Sequence, residues 1–369
     1  MENPFRYGII VDDPYFIDRE EELKDISLWL KSRQSLVLYS PRRFGKSSLI
    51  LKTLKKLNSE GYNTIYLDFF RIHSRSQFVE LYYNEIFKKL PSWEKAFKNI
   101  SGMVKSIRPS VSLDSEGIPK IGIDYQESNS LIALQEVMDL PQKLATDKPW
   151  IIVFDEFQEI NKLNGDNFEK ELRSSLMHHD NVSYVFMGSQ SHMLLNMFTH
   201  KSRAFYQFAK ILELKKIPEN YMYDYLSHRF SIAGFKAENK IINDIIEVAD
   251  NIPNYVQYLA SAVWEMSIDK ESLNDTILNE AIEKIIKNQQ DYFINLYDRL
   301  TSYQQKVLLA IIKEPQNIFT KDYRIRFNLS AESSTQRAVE RLLELEILEK
   351  QKDHYHFPDP FFRKWVMRF

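Results

Sequence analysis

Two short stretches carry residues whose types and spacing suit phosphate chemistry. In the first, the apolar run Leu36 to Tyr39 breaks at Ser40-Pro41 and passes Arg42 and Arg43. It resumes at Gly45-Lys46-Ser47 as the first turn of an apolar, lysine-rich helical pattern. A polyphosphate needs inward-facing backbone N–H groups, the positive end of a helix, an ammonium and a hydroxyl for a divalent cation. Gly45 lets the backbone approach the anion, Lys46 bridges β- and γ-phosphates, and Ser47 ligates Mg²⁺. The stretch fits GxxxxGK[ST] except at its first position, where Ser40 replaces glycine; a loop needing positive φ there would be strained. The expected nucleotide cradle is thus Ser40, Pro41, Arg42, Arg43, Phe44, Gly45, Lys46, Ser47 and Ser48. In the second stretch, Trp150 to Phe154 is an unbroken apolar run ending in Asp155 and Glu156. That is the pattern of a central parallel strand, buried on both faces, whose carboxylates emerge at the ligand crevice. Asp155 then serves the Mg²⁺ shell and Glu156 orients and deprotonates an attacking water. Alone, the second stretch equally describes a strand meeting a solvated loop; its pairing with the first makes it specific.

Composition bounds the alternatives. The 369 residues suffice for two or three domains with substantial cores, and 44% hydrophobic with 27% charged residues is ordinary for a globular chain. A net charge of −2 gives no global field for nucleic acid or anionic lipid, so such contacts would need a local patch. The absence of cysteine excludes disulfides, thiol catalysis and cysteine-rich zinc sites, and favours an intracellular compartment. No window approaches bilayer-spanning length, and Met1 to Tyr7 lacks the pattern of a signal peptide. The expectation is a cytoplasmic protein without membrane contact.

The surrounding elements must position these residues. Asp18 is the expected N-cap of a helix through Leu30, with Leu23, Ile26 and Leu30 on its apolar face. After the cradle helix, Asn63 to Phe70 reads as a second buried strand. Asp68, Arg71 and Arg75 follow its end and suit either a ligand contact or a solvated surface. Residues 78–98 look helical, and residues 106–125 read as a β-hairpin insertion around the turn Asp114 to Gly117. A helix over 130–145 leads to the Asp-Glu strand, and a helix over 167–178 leads to a strand over 183–188. Ser189 and Gln190, at that strand's tip, are candidates to sense a γ-phosphate. Arg203 precedes a strand over 211–214 and is placed to stabilise transferring charge, within one chain or a neighbouring one. From Ile217 the pattern is helical, with helices over 219–233 and 238–249, a third opened by Pro253, and a long one over 273–296. Three helical patterns, a hairpin around Lys352-Asp353 and a last aromatic helix over 359–369 describe a winged helix. Its third helix shows Gln336, Arg337, Glu340, Arg341 and Glu344 outward, and the glutamates argue against strong DNA binding. DNA and protein contact both stay open there. The paired His178 and His179, and His354 and His356, are expected to face solvent.

The expected architecture is α/β: a P-loop domain over 1–216 with helices on both faces of a parallel sheet, a helical lid over 217–298 and a winged helix over 299–369. In this order the motifs resemble archaeal-type P-loop ATPases of the STAND and AAA+ superfamily, relatives of the origin-recognition ATPases. The resemblance spans essentially the full chain and rests on Phe16 to Leu23, Pro41 to Leu49, Phe154 to Gln158, Gly188 to Gln190, Ser202 to Ala204, Ile252-Pro253 and Phe357 to Phe362. It implies that Arg19 borders the adenine, that Lys46 and Ser47 bind phosphates and Mg²⁺, that Asp155 and Glu156 are the Walker B pair, and that Pro253 lies near the base. Two residues depart from the pattern: Ser40, and Ser202 before the arginine. The leading expectation is an ATP-binding, Mg²⁺-dependent ATPase whose ATP or ADP state moves lid and winged helix. The alternatives are a slow-turnover nucleotide-gated adaptor acting through an unidentified protein partner and a DNA-associated ATPase. A small-molecule phosphotransferase ranks last, because Glu156 suits water activation.

Overall fold

A computed structural model describes residues 2–90, 102–113, 119–124, 130–146, 148–163, 165–268, 273–351 and 354–369. Its contacts divide the chain into two compact units. One contains Arg19–Ser40 and Lys46–Lys215; the other contains Met1–Asp18, Pro41–Gly45 and Lys216–Phe369. Among the described residues no helix is long and apolar enough to cross a membrane.

The first unit is built on five parallel strands, β1 (Leu36–Tyr39), β2 (Thr64–Asp68), β5 (Trp150–Asp155), β6 (Val182–Gly188) and β7 (Lys210–Glu213). Their spatial order is β2-β5-β6-β1-β7. Successive strand residues face opposite sides, and both sides of β5 and β6 are buried, which explains their unbroken apolar runs. Ile152, Phe154, Tyr184 and Phe186 share a core with Phe78 and Tyr82 of helix Arg75–Phe87, Val137 of helix Ser130–Met138, and Phe168 and Leu172 of helix Gly165–Leu176. The alternate residues Leu36, Leu38, Ile151, Val153 and Met187 are also fully buried, and helices Glu20–Lys31 and Lys46–Ser59 supply Ile26, Leu30, Leu49 and Ile50. Register brings the functional ends to one rim: Tyr39 lies opposite Gly188, Phe154 opposite Phe186, and Asp68 opposite Asp155. β3 (Arg108–Leu113) and β4 (Pro119–Asp124) form the expected antiparallel hairpin. Its Asp114 to Gly117 turn and the 91–98 part of the expected helix lie outside the described residues.

Several boundaries differ from expectation for local reasons. Asp18 does not cap the first helix; Asp18 and Arg19 both adopt left-handed backbone, and the helix begins at Glu20. Ser40 avoids positive φ altogether, and the left-handed positions of the loop are Arg43 at 71° and Gly45 at 93°. The expected helix over 273–296 is two helices, Asp275–Asn288 and Gln290–Asp298, divided at Gln289. The histidine expectation is corrected most sharply. His179 has a side chain only 1% exposed, with Nδ1 bonded to the Tyr184 hydroxyl at 2.7 Å and Nε2 to Asp139 at 2.9 Å.

The second unit is mainly helical around one continuous hydrophobic core. Helices Glu219–Ile232, Asn239–Val248, Pro253–Ser267, Asp275–Asn288 and Gln290–Asp298 are followed by the winged-helix elements. Those are Ser302–Lys313, Lys321–Arg326, Glu332–Glu344, the hairpin β8 (Glu349–Gln351) with β9 (His354–His356), and Pro360–Val366. The wing's Lys352-Asp353 turn lies outside the described residues. Thr301 and Gln304 form a capping box on the first winged-helix element, and Thr320 caps the second. Phe293 packs on Phe362 and Trp365, and Tyr255 and Tyr258 on Phe361, joining the helices on either side of residue 299 through aromatic contacts. The N-terminal segment is held in the same unit. Phe5 packs on Phe230, and Arg229 donates to the Pro14 carbonyl while lying over Tyr15.

Burial holds the His179 imidazole below its ordinary 6.5, against the opposing pull of Asp139. As pH falls below 6.5 the unfolded chain binds a proton that the folded chain resists, so folding stability is lost through that window and levels off below the depressed value. His179→Gln is expected to flatten this acid-side slope. Urea midpoints measured between pH 7.5 and 5 check it; an unchanged slope contradicts it.

Candidate functional site

The rim of the first unit gathers side chains from four strand ends. Lys46 opens its helix and is 7% exposed; its Nζ donates to the Ser40 carbonyl at 2.7 Å and lies 3.3 Å from Ser40 Oγ. The ammonium is therefore folded back across the loop onto the end of β1. Ser40 and Ser48 are buried beside it, the latter on the inner face of the helix.

One residue later, Ser47 lies near enough to the Tyr66 hydroxyl to influence it, and that hydroxyl donates to Asp155 Oδ2. Burial, with the Asp155 carboxylate adding to it, pushes the Tyr66 hydroxyl well above its ordinary range, so it remains a donor. Burial also raises the Asp155 carboxyl above 3.8. Glu156 and Asp68 raise it further, while the bonds from Tyr66 and from the Glu156 N–H at 2.9 Å oppose the rise. Ser47, Tyr66 and Asp155 thus gather hard oxygens between the cradle helix and the end of β5, two strands from β1 in the sheet. Mg²⁺ accepts such a set, taking one or two protein oxygens and completing its shell with phosphate and water.

Glu156 turns the chain out of β5 with a left-handed backbone, φ 48°. Its Oε2 accepts from Gln158 Nε2 at 2.6 Å, Ser189 Oγ at 2.9 Å and Ser189 N at 3.1 Å. Ser189 stands at the tip of β6, between β1, which leads into the cradle, and β5, which carries Asp155, and Gln190 follows it at the entry to helix Ser191–Thr199. Lys46, Ser47, Asp155, Glu156, Ser189 and Gln190 therefore occur around one sheet edge.

Other expected residues have different surroundings. Arg19 is 4% exposed; its guanidinium donates to Glu22 at 2.7 Å and to the Lys215 carbonyl at 2.6 Å, tying the exit from β7 to the start of the first helix. Arg203 is paired with Glu169, itself 1% exposed, and donates to Asn161 at 3.2 Å. The Ala204 N–H donates to the same carboxylate at 3.1 Å.

Pro41, Arg42, Arg43, Phe44 and Gly45 belong to the second unit. Phe44 is buried in its core. Arg42 pairs with Glu346 at 2.8 Å, and Arg43 lies 3.8 Å from Asp359 and 4.5 Å over the Tyr255 ring. Pro253 occupies the first turn of the helix carrying Tyr255, following Asp250 and Asn251 in left-handed backbone. The next residue's N–H, Asn254, reaches the Arg43 carbonyl at 3.4 Å.

Sequence reasoning gave no role to Tyr66, Gln158 or Glu169. Tyr66 carries a hydroxyl between Ile65 and Leu67 in the middle of its strand, a visible irregularity; nothing near Glu169 in sequence marks it as the partner of Arg203.

A family model described as "ATPase domain predominantly from Archaea" matches residues 16–259, and one described as "Probable winged helix domain" matches residues 291–368. Among solved structures, a Walker-type ATPase of Pyrococcus abyssi superposes with a TM-score of 0.67 at 17% identity, covering 99% of this chain and 100% of that one. The ORC2 protein of Aeropyrum pernix, solved in ADPNP–ADP complexes, gives 0.56 at 14% identity, covering 99% and 98%. At such identities the likeness is one of fold. No curated protein matches the sequence.

Arg203→Met should leave the Glu169 carboxylate buried without its charge partner and lower stability by about 3 kcal/mol. Equilibrium urea unfolding measures this. An unchanged midpoint together with slowed hydrolysis would instead assign Arg203 to the reacting phosphate.

Proposed function

This chain belongs to the family of ATPase domains found predominantly in Archaea, and from that premise we propose that it binds Mg²⁺·ATP at the strand-end rim and hydrolyses it. The convergence of Ser47 and Asp155 on the Tyr66 hydroxyl carries this reading, because it brings the cradle residue and a strand-end carboxylate to one side chain. Ser47 and Asp155 would hold the cation, which supplies charge neutralisation to the β- and γ-phosphates when bound. Lys46, now resting on the Ser40 carbonyl, has a stronger partner in a phosphate oxygen. The backbone N–H groups from Phe44 to Ser48 stand at a helix N-terminus, where an anion is favoured. Glu156 orients a water and takes its proton. The neighbouring ORC2 protein, solved with ADPNP and ADP, supports an adenine nucleotide as the ligand.

Lys46→Ala is expected to weaken ATP binding by about 100-fold or more, because a buried phosphate would have no ammonium to balance its charge. Glu156→Gln should retain ATP and hydrolyse it on the order of 10²–10⁴ times more slowly. Equilibrium binding and phosphate release measure the two, and undiminished turnover in Glu156→Gln would remove Glu156 from the chemistry.

The nucleotide state also repositions the lid and winged helix in this proposal. The supporting observation lies within the second unit, where the cradle arginines are held by Glu346, Asp359 and Tyr255. A polyphosphate in the loop competes for those guanidinium groups. Hydrogen exchange over residues 346–351 and 354–369 should therefore quicken on adding ATP to the wild type and already be fast in Arg43→Ala without nucleotide. Exchange that ignores both changes would contradict the coupling. A protein partner suits the winged helix better than DNA, since Arg341 is paired with Glu344 and Arg337 donates to the Ser333 carbonyl on helix Glu332–Glu344.

A further inference from the structure

Gln158 is 3% exposed and lies in the 3₁₀ segment Phe157–Lys162, just past the end of β5. Its amide turns back toward the strand, so that Nε2 donates to Glu156 Oε2 at 2.6 Å. Its Oε1 is buried with no hydrogen-bond partner. Leaving an amide oxygen dry is unfavourable, and the opposite amide orientation would be worse, because it would set that oxygen against the Glu156 carboxylate. The charge-assisted bond thus fixes which way the amide points.

Gly188, the last residue of β6, forms the other wall. A Cβ built there would collide with Gln158 Oε1 and stand 3.2 Å from its Cδ and 3.3 Å from Leu194 Cδ2. Any side chain at 188 therefore displaces the amide or is displaced by it. Three donors converge on Glu156 Oε2: Gln158 Nε2 and the two groups of Ser189. They do not occupy Oε1.

We propose that Gln158 is a positioning residue for hydrolysis. It fixes Oε2 of Glu156 so that Oε1 faces the attacking water, and Gly188 supplies the space it needs. The inference rests on the reading of Glu156 as the group that activates water. Gln158 acts through Glu156 alone, so nucleotide affinity does not depend on it.

The test uses the full chain with Mg²⁺ and ATP, reading the Kd of a fluorescent ATP analogue and single-turnover phosphate release. Gln158→Leu should keep Kd within about twofold and slow hydrolysis about tenfold or more, a part of the ~10²–10⁴ that a general base contributes. Gly188→Ala should slow hydrolysis in the wild-type background and add nothing in a Gln158→Ala background, because the two residues act through one contact. Gln158→Glu keeps the side-chain shape but opposes two carboxylates; it should also slow hydrolysis, and it decides the matter if Gln158→Leu fails to fold. Wild-type hydrolysis in the Gln158 variants, with Glu156→Gln still inactive, overturns the positioning role and leaves the ATPase reading intact. A Kd that weakens in step with the rate overturns it as well, by placing Gln158 in binding. A wild-type protein that releases no more phosphate than Lys46→Ala overturns both.

Discussion

The rim depends on keeping a carboxylate serviceable at the end of a strand that is otherwise entirely apolar. Asp155 is 7% exposed, and burial alone drives its carboxyl toward the neutral form. In the magnesium-binding role proposed for it, the ionised form is the useful one, and two neighbouring donors favour that form. They are the Tyr66 hydroxyl and the Glu156 N–H. Tyr66 reaches Asp155 because β2 and β5 pair in parallel, with Asp68 opposite Asp155, and because the aromatic core around Phe154 fixes that register. Sheet pairing, aromatic packing and carboxylate charge are in this sense one constraint.

The same economy of polar contacts governs Glu156. A left-handed residue straight after a buried strand turns the chain sharply, which lets the following segment fold back on the strand end. Donors from two neighbouring elements then meet on a single carboxylate oxygen. An oxygen held by three donors at 2.6–3.1 Å has little rotational freedom, so the carboxylate is oriented before any ligand arrives. Lys46 is handled differently: its ammonium donates to a backbone carbonyl, a neutral acceptor.

The sheet and the winged helix were legible because their signals are local. Unbroken apolar runs such as Trp150 to Phe154 mark strands buried on both faces, and helical periodicity marks the winged-helix helices. The gathering of Lys46, Ser47, Asp155 and Glu156 at one rim was likewise readable from strand ends and motif spacing. What failed was non-local or depended on backbone handedness. His179 looked like half of an exposed pair, and only folding delivers Asp139, forty residues away, to its ring. The partnership of Arg203 with Glu169 has no sequence marker. The division at Gln289 leaves the apolar periodicity nearly intact, so a single helix was the natural expectation. A positive φ at Ser40 would have been strained; the loop has its positive φ at Arg43 and Gly45 instead, and the Arg43 guanidinium lies over Tyr255 and near Asp359.

The N-terminal segment has a bearing on how the chain is made. Residues Met1–Asp18 find their partners in the second unit: Phe5 on Phe230, Gly8 on Asn254, and Asn3 on Ser261. During synthesis those partners do not yet exist when the segment leaves the ribosome. At ~5–20 residues per second, the first residues wait roughly 10–50 s while the five-stranded sheet is completed between them and their destination. The parallel sheet can thus assemble with its amino-terminal tether still unanchored, and docking of that tether records the arrival of the helical half.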